Sequence, residues 1–179
     1  MPSPPFFDIL FFMKLTGKAR RFKQDNDINT DYIISGRYKF KIQDPAELAK
    51  HVMEDLDPGF FNRIQKGDFI VAGRNFGCGS SREQAPQAIK YARLSAVIAK
   101  SFARIFYRNC YNLGLPAIEA DTDQIKEGDE LELDLDAGLI RNLTQKKEIP
   151  ISPLPQTMQI LLQDGGLVEH FKKHGTFKI

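Results

Sequence analysis

Between the apolar run Asp68-Phe69-Ile70-Val71-Ala72 and a helical pattern further on lies Gly73-Arg74-Asn75-Phe76-Gly77-Cys78-Gly79-Ser80-Ser81-Arg82-Glu83. A glycine-rich strand-to-helix turn of this kind presents backbone N–H groups to an anion. Two hydroxyls and a guanidinium follow in three consecutive residues, Ser80, Ser81 and Arg82. A phosphate cradle needs less than that, and the combination points to a carboxylate substrate and a proton transfer.

The familiar glycine motifs do not fit. A P-loop needs Lys after its second Gly, and a dinucleotide fingerprint needs Gly where Gly77-Cys78-Gly79-Ser80-Ser81-Arg82 ends in Arg. A nucleophile elbow needs a closing Gly that Gly79-Ser80-Ser81-Arg82-Glu83 lacks. On spacing alone the run is equally a plain βα loop with serine caps.

Strand and helix patterns alternate along the chain, which indicates an α/β class. Residues 18–22 form the first predicted strand, and 25–31 a polar loop leading into Tyr32-Ile33-Ile34 as the next. Asp44-Pro45-Ala46-Glu47 supplies an N-cap, an N1 proline and an N3 acid. They open a helix that turns Leu48, Val52, Met53 and Leu56 inward and stops at Asp57-Pro58-Gly59. Pro86 has no amide to give a continuing helix, so 81–85 is expected to be separate from, or kinked against, the helix carrying Ala88, Ile89 and Ala92. Downstream, 95–99 reads as a buried strand and 102–112 as a helix ended by Gly114. Residues 130–134 form a strand that turns through Asp136-Ala137-Gly138 into Leu139-Ile140-Arg141. Amphipathic stretches at 156–162 and 167–173 close the pattern.

At 179 residues and 42% hydrophobic, the chain can bury one sizeable core, and residues 13–179 read as a single domain. A net charge of +2 gives no reason to expect nucleic acid, and Lys14, Lys18, Arg20, Arg21 and Lys23 read as a solvated strand face. Cys78 and Cys110 are too few for a disulfide framework and lack zinc-type spacing, which is consistent with a reducing cytoplasm. Phe6-Phe7-Asp8-Ile9-Leu10-Phe11-Phe12 is interrupted by Asp8 and too short to span a bilayer. Residues 1–12 are therefore expected to be an extension, poorly ordered or loosely docked. His170 and His174 are four apart, a spacing that could bind metal; without a third ligand nearby they read as an exposed helix face.

The segment Gly79-Ser80-Ser81-Arg82-Glu83, followed by Ala96-Val97-Ile98-Ala99-Lys100-Ser101-Phe102-Ala103-Arg104-Ile105-Phe106-Tyr107-Arg108-Asn109, closely resembles the swivel domain of the aconitase superfamily. Within that superfamily the chain is similar to the separate small subunits of 3-isopropylmalate dehydratases. Further matches lie at Asp27-Ile28-Asn29-Thr30-Asp31-Tyr32-Ile33-Ile34, Gly114-Leu115-Pro116 and Gly128-Asp129-Glu130. The resemblance implies a swivelling β/β/α sandwich that covers an active site built mostly by a larger chain. That large subunit would carry a [4Fe–4S] cluster; the two cysteines here cannot hold one, so no cofactor and no metal is expected in this chain.

The implied reaction is a dehydration and rehydration in leucine biosynthesis that turns 2-isopropylmalate into 3-isopropylmalate. By resemblance, Ser80 is the base, acting as an alkoxide, and Ser81 and Arg82 bind the substrate carboxylate. Arg suits that role because its planar fork matches a carboxylate bidentately. Glu83 is expected to cap or orient the turn, with a carboxylate base as the alternative. Thr30 and Asp31 match the family's Thr-Asp near the substrate pocket. The family's usual Ser-Ser-Arg-Glu-His reads Gln84 at its last position here, a residue that cannot titrate near neutral pH. Substrate choice is attributed to the loop Gly36-Arg37-Tyr38-Lys39-Phe40-Lys41-Ile42, where Phe40 and Ile42 suit an isopropyl group and Lys39 and Lys41 a carboxylated one. The alternatives are a related hydro-lyase subunit, acting on dimethylmalate, homoaconitate or a methylcitrate-like acid, and a non-catalytic interaction protein that keeps the fold.

Overall fold

The two short apolar runs in the middle of the chain are strands buried on both faces, the pattern of a parallel sheet covered on each side. A computed structural model describes residues 14–39 and 41–179. In chain order its elements are β1 (Lys14–Arg20), α1 (Thr30–Ile33), α2 (Gly36–Lys39), α3 (Pro45–Ala49), α4 (Phe60–Arg63), β2 (Phe69–Ala72) and α5 (Gln84–Tyr91). These are followed by β3 (Ala96–Ala99), α6 (Arg104–Asn112), β4 (Ala117–Glu119), β5 (Glu130–Asp134), β6 (Leu139–Asn142), β7 (Lys147–Pro150), α7 (Gln156–Asp164) and α8 (Leu167–His174).

The strands form one mixed sheet in the order β4-β3-β2-β1-β5-β6-β7. Its β4-β3-β2-β1 half is parallel and its β1-β5-β6-β7 half antiparallel. Alternation along each strand divides the core in two. Ile70, Ala72, Val97, Ala99 and Ala117 face a helical layer that includes Ala88 and Ile89 of α5, Phe106 and Cys110 of α6, and Leu161 and Leu162 of α7. On the opposite face Phe69, Val71, Ala96, Ile98 and Ile118 meet Leu131, Leu133, Ile140 and Ile149 of the antiparallel half. The sheet thus curls over itself, and an antiparallel bridge from Ala120 to Ile151 ties its two edges together. The result is the β/β/α arrangement that the sequence implied.

Several elements depart from expectation. The first strand spans Lys14–Arg20 and not 18–22, because Lys14 to Lys18 pair with β5 and Ala19 and Arg20 with β2. Tyr32 and Ile33 lie in a helical turn and not a strand, since the Asn29 side chain caps α1 by accepting from the Tyr32 amide at 2.9 Å. Asp44 caps α3 as predicted, but that helix ends at Ala49 and the chain then turns, with Met53 at φ 57°. Pro86 does not separate two segments: it lies in the first turn of α5, where an amide would have no helical acceptor. Strands β4 and β7 had no counterpart in the sequence reading. The expectation for residues 1–12 falls outside the described residues. Among the described residues, no helix is long and apolar enough to cross a membrane.

Asp68 fastens the two central parallel strands at their entrance. Its carboxylate accepts from the Lys18 amide at 3.1 Å, the Gln65 amide at 2.9 Å and Arg20 Nε at 2.7 Å, and the residue is only 2% exposed. Asp68→Ala removes every one of these acceptors and leaves a mostly buried guanidinium with only the longer Glu127 contact at 3.7 Å. Urea denaturation should show a loss of about 3 kcal/mol, the scale of breaking one side of a buried pair.

Candidate functional site

Beyond the ends of β1, β2 and β3 the parallel ladder continues as loops. On one side of the glycine run, Asp25 and Ile28 carbonyls accept from the Gly73 and Gly77 amides, both at 2.7 Å, and Cys78 O accepts from the Thr30 amide at 2.8 Å. On the other side, Gly73 O accepts from Lys100 N at 3.0 Å, Ser101 O from Phe76 N at 3.0 Å, and Phe76 O from Ala103 N at 2.9 Å. Asp27 and Asn75 both adopt left-handed backbone, at φ 55° and 58°, which these residue types tolerate, and Asn75 Nδ2 donates to Asp27 Oδ1 at 2.7 Å. Open α/β sheets place their ligands at the carboxyl ends of parallel strands, and this loop stands there.

Gly77 has a steric duty. At φ 77° it lies directly on the Phe106 ring, where an added Cβ would overlap Phe106 Cβ at 2.5 Å and Cδ1 at 2.6 Å. Phe106 is itself locked edge-on to Phe76, with centroids 5.3 Å apart. Gly79, at φ 97°, has Thr30 Oγ1 3.3 Å from the equivalent position. The turn can therefore run close over α6 and α1, and it delivers Ser80 and Ser81 to the surface, where both are exposed.

Thr30, 1% exposed, holds this tip from below. Its hydroxyl donates to Ser80 O at 3.1 Å and lies 3.5 Å from Ser80 Oγ, while Arg82 N donates to Ser80 O at 2.8 Å. Arg82 folds back so that Nη1 pairs with Asp31 Oδ1 at 2.5 Å and reaches Ile34 O at 3.4 Å. Its buried Nε has no partner among the described residues, and no hydrogen bond engages Nη2 there. Nε and Nη2 together are the edge with which an arginine takes a carboxylate bidentately. The structure thus brings Thr30, Asp31, Ser80, Ser81 and Arg82 into one place.

A sequence profile of the aconitase C-terminal domain matches residues 14–123. The chain belongs to that family. It is 58% identical over 167 residues to 3-isopropylmalate dehydratase small subunit 2 of Archaeoglobus fulgidus, covering 93% of this chain and all of the relative. It is 56% identical to the 3-isopropylmalate dehydratase small subunit of Caldicellulosiruptor saccharolyticus, over 89% of this chain and 92% of the relative. The crystal structure of 3-isopropylmalate dehydratase from Methanocaldococcus jannaschii superposes with a TM-score of 0.87 at 49% identity, covering 91% of this chain and 96% of that one.

Other expected residues of this aconitase-family domain fare differently. Glu83 is exposed and its side chain makes no cap bond to α5, so the capping role does not hold. Gln84 is the first residue of α5, and no side-chain hydrogen bond links it to Ser80 among the described residues. In the loop that starts at Gly36, beside Arg82 Nη1 and Asp31 Oδ1, Ile42 is partly buried against the helical core. Lys41 is exposed. Phe40 lies outside the described residues. The sequence reading missed what steadies this loop: the Tyr38 ring stacks on His51 with centroids 3.8 Å apart, and Glu54 accepts from Tyr38 Oη at 3.0 Å and meets His51 Nδ1 at 2.5 Å. The bond to His51 leads the effects that hold the Glu54 carboxyl below the usual range. His170, expected on an exposed face, is buried. It also missed Asn29, whose Asn-Thr-Asp context carried a readable N-cap signal.

Two outcomes follow from this geometry. Gly77→Ala combines an unfavourable φ with overlap on a packed ring and should lose about 2–4 kcal/mol in urea denaturation, with Gly79→Ala losing less. Burial, with Asp27 adding to it, pushes the Cys78 thiol above its ordinary range. A raised pKa means less thiolate at any given pH, so iodoacetamide at mildly alkaline pH should alkylate Cys78 more slowly than free cysteine, and Asp27→Asn should quicken it. Cys110, buried and pushed well up, should react only after unfolding.

Proposed function

We propose that this chain is the small subunit of a 3-isopropylmalate dehydratase, a hydro-lyase that converts 2-isopropylmalate to 3-isopropylmalate together with a large subunit in leucine biosynthesis. The observation that carries the reading is the Arg82 guanidinium, whose buried Nε has no hydrogen-bond partner among the described residues, beside two exposed serines. Near full-length similarity to small subunits of that name supports it.

In the reaction a proton leaves one carbon and a hydroxyl its neighbour, a double bond forms, and water returns with the two positions exchanged. The proton is lost beside a carboxylate, and negative charge spreads onto that carboxylate as the C–H bond breaks. Arg82 receives it through a charge-assisted pair, and the turn at Ser81 adds a hydroxyl donor. Ser80, as alkoxide, takes the proton and later returns it. Thr30 positions Ser80 through its carbonyl, and Asp31 orients Arg82 by occupying Nη1. Phe40 is assigned to the isopropyl group. The [4Fe–4S] cluster belongs to the large subunit in this reading: Cys78 is half-buried, Cys110 fully buried, and two thiols do not make a cluster site. The assembly is placed in the cytoplasm.

Reconstitution with a cluster-loaded large subunit tests this. The chain alone should show no turnover, and the pair should interconvert the two isopropylmalates. Ser80→Ala should cut kcat by about 10²–10⁴-fold, the usual worth of a positioned base, with KM little changed. Arg82→Lys should act mainly on KM, raising it about tenfold or more through loss of the bidentate edge. Near-normal kcat in Ser80→Ala combined with an inactive Glu83→Gln would transfer the base to Glu83, and dehydratase turnover by the isolated chain would overturn the two-subunit assignment.

A further inference from the structure

A second cluster of chemically able side chains lies away from the glycine turn, where α7 and α8 meet. Asp164 is the last residue of α7, and the left-handed pair Gly165 and Gly166, at φ 86° and 117°, reverses the chain so that α8 runs back past it. His170 and His174, four residues apart, share one face of α8. Both rings converge on the same carboxylate oxygen: Asp164 Oδ2 lies 2.7 Å from His170 Nδ1 and 3.1 Å from His174 Nε2. The three ligating atoms all fall within 4.8 Å of one another.

We infer that Asp164, His170 and His174 form a binding site for a divalent cation of the zinc class, which clips the α7–α8 hairpin and the carboxy-terminal tail together. This inference is independent of the dehydratase reading. The surroundings are those of a metal site. His170 is 4% exposed, and its Nε2–H donates to Lys178 O at 3.2 Å, the outer contact that fixes the ring of a metal-bound histidine. With that bond made, Nδ1 of a neutral ring turns a lone pair toward the Asp164 oxygen, and a cation, either a proton or a metal ion, has to stand between them. Lys173 pairs with the other carboxylate oxygen, Oδ1, at 3.0 Å, which leaves Oδ2 as a single inward ligand.

Dimensions and chemistry agree. Tetrahedral zinc with bonds of about 2.0–2.1 Å separates its ligand atoms by ~3.3 Å, so the Oδ2 contacts of 2.7 and 3.1 Å open by about 0.6 and 0.2 Å, and the two ring nitrogens, within 4.8 Å of each other, settle to the same separation by side-chain rotation. Two imidazoles and one carboxylate select zinc, cobalt or nickel over calcium and magnesium, which want an all-oxygen shell. The His174 side chain is half exposed, so an ion can enter and a fourth ligand position opens outward to water or to a group on another chain. The competing arrangement is an ion-pair knot in which a proton takes the place of the metal and Lys173 adds positive charge.

Zinc chloride alone, titrated calorimetrically into the full chain carrying Cys78→Ser to remove the more accessible thiol, distinguishes the two. One equivalent should bind at micromolar concentration or below, and zinc should raise Tm, because the site exists only in the folded chain. His174→Ala, at a half-exposed position that leaves the fold intact, should weaken binding by about a hundredfold and abolish the Tm rise; Asp164→Asn should weaken it as well. Cobalt substituted for zinc should give the visible absorption of a tetrahedral N/O site. Equal zinc affinity in the parent and His174→Ala, no saturable binding, or magnesium binding as tightly as zinc would each overturn the assignment.

Discussion

The backbone register of three parallel strands, carried past their ends, is what the rest of this site depends on. Once β2 stops at Ala72, residues 73–78 still hydrogen-bond on both sides, to 25–30 and to 100–103. A turn with this many polar backbone groups would be costly to bury unpaired, and the flanking loops satisfy them without regular strand geometry. Gly77 makes this possible by letting the turn rest on Phe106; with any side chain there, the segment would lift from α6 and lose its bonds on at least one side. The fold thereby converts the end of a sheet into a rigid platform whose tip, Ser80 and Ser81, stays in contact with solvent.

Electrostatic partition then defines the tip. Arg82 is only 16% exposed in its side chain, so its charge is worth more there than at an open surface, and Asp31 compensates part of it from one side. Asp31 and the Ile34 carbonyl both address Nη1, whereas the buried Nε on the opposite edge has no hydrogen-bond partner among the described residues. The α1 turn supplies both Thr30 and Asp31, so the short helix capped by Asn29 sets the height of the serine loop and the direction of the arginine at once. The α2 turn begins at Gly36, within 3.7 Å of Arg82 Nη1 as measured from its Cβ position, which sets the loop proposed for substrate choice against the residue proposed to bind carboxylate.

Local signals in the sequence determined much of this protein. The apolar runs that became β2 and β3, the Asp44 cap, the strand at 130–134 and the glycine turn with its serines and arginine were all readable, because each depends on interactions within a few residues. The family resemblance supplied the layer order. What the tertiary structure alone decided involves residues distant in the chain. The early start of β1 came from pairing with β5, more than a hundred residues on, and β7 is settled by its pairing with β6 and by the bridge from Ile151 to Ala120. Ile42, read from sequence as a substrate contact, is partly buried against the helical core. His170 and His174 read as an exposed face; His174 is exposed, but His170 is buried, and a two-glycine reversal sets Asp164 against both. Which nitrogen of Arg82 is paired followed from Asp31 and Ile34, about fifty positions upstream. Periodicity and capping report a residue's neighbours in sequence; burial, pairing and ligand geometry are set by neighbours in space, which only the completed fold brings together.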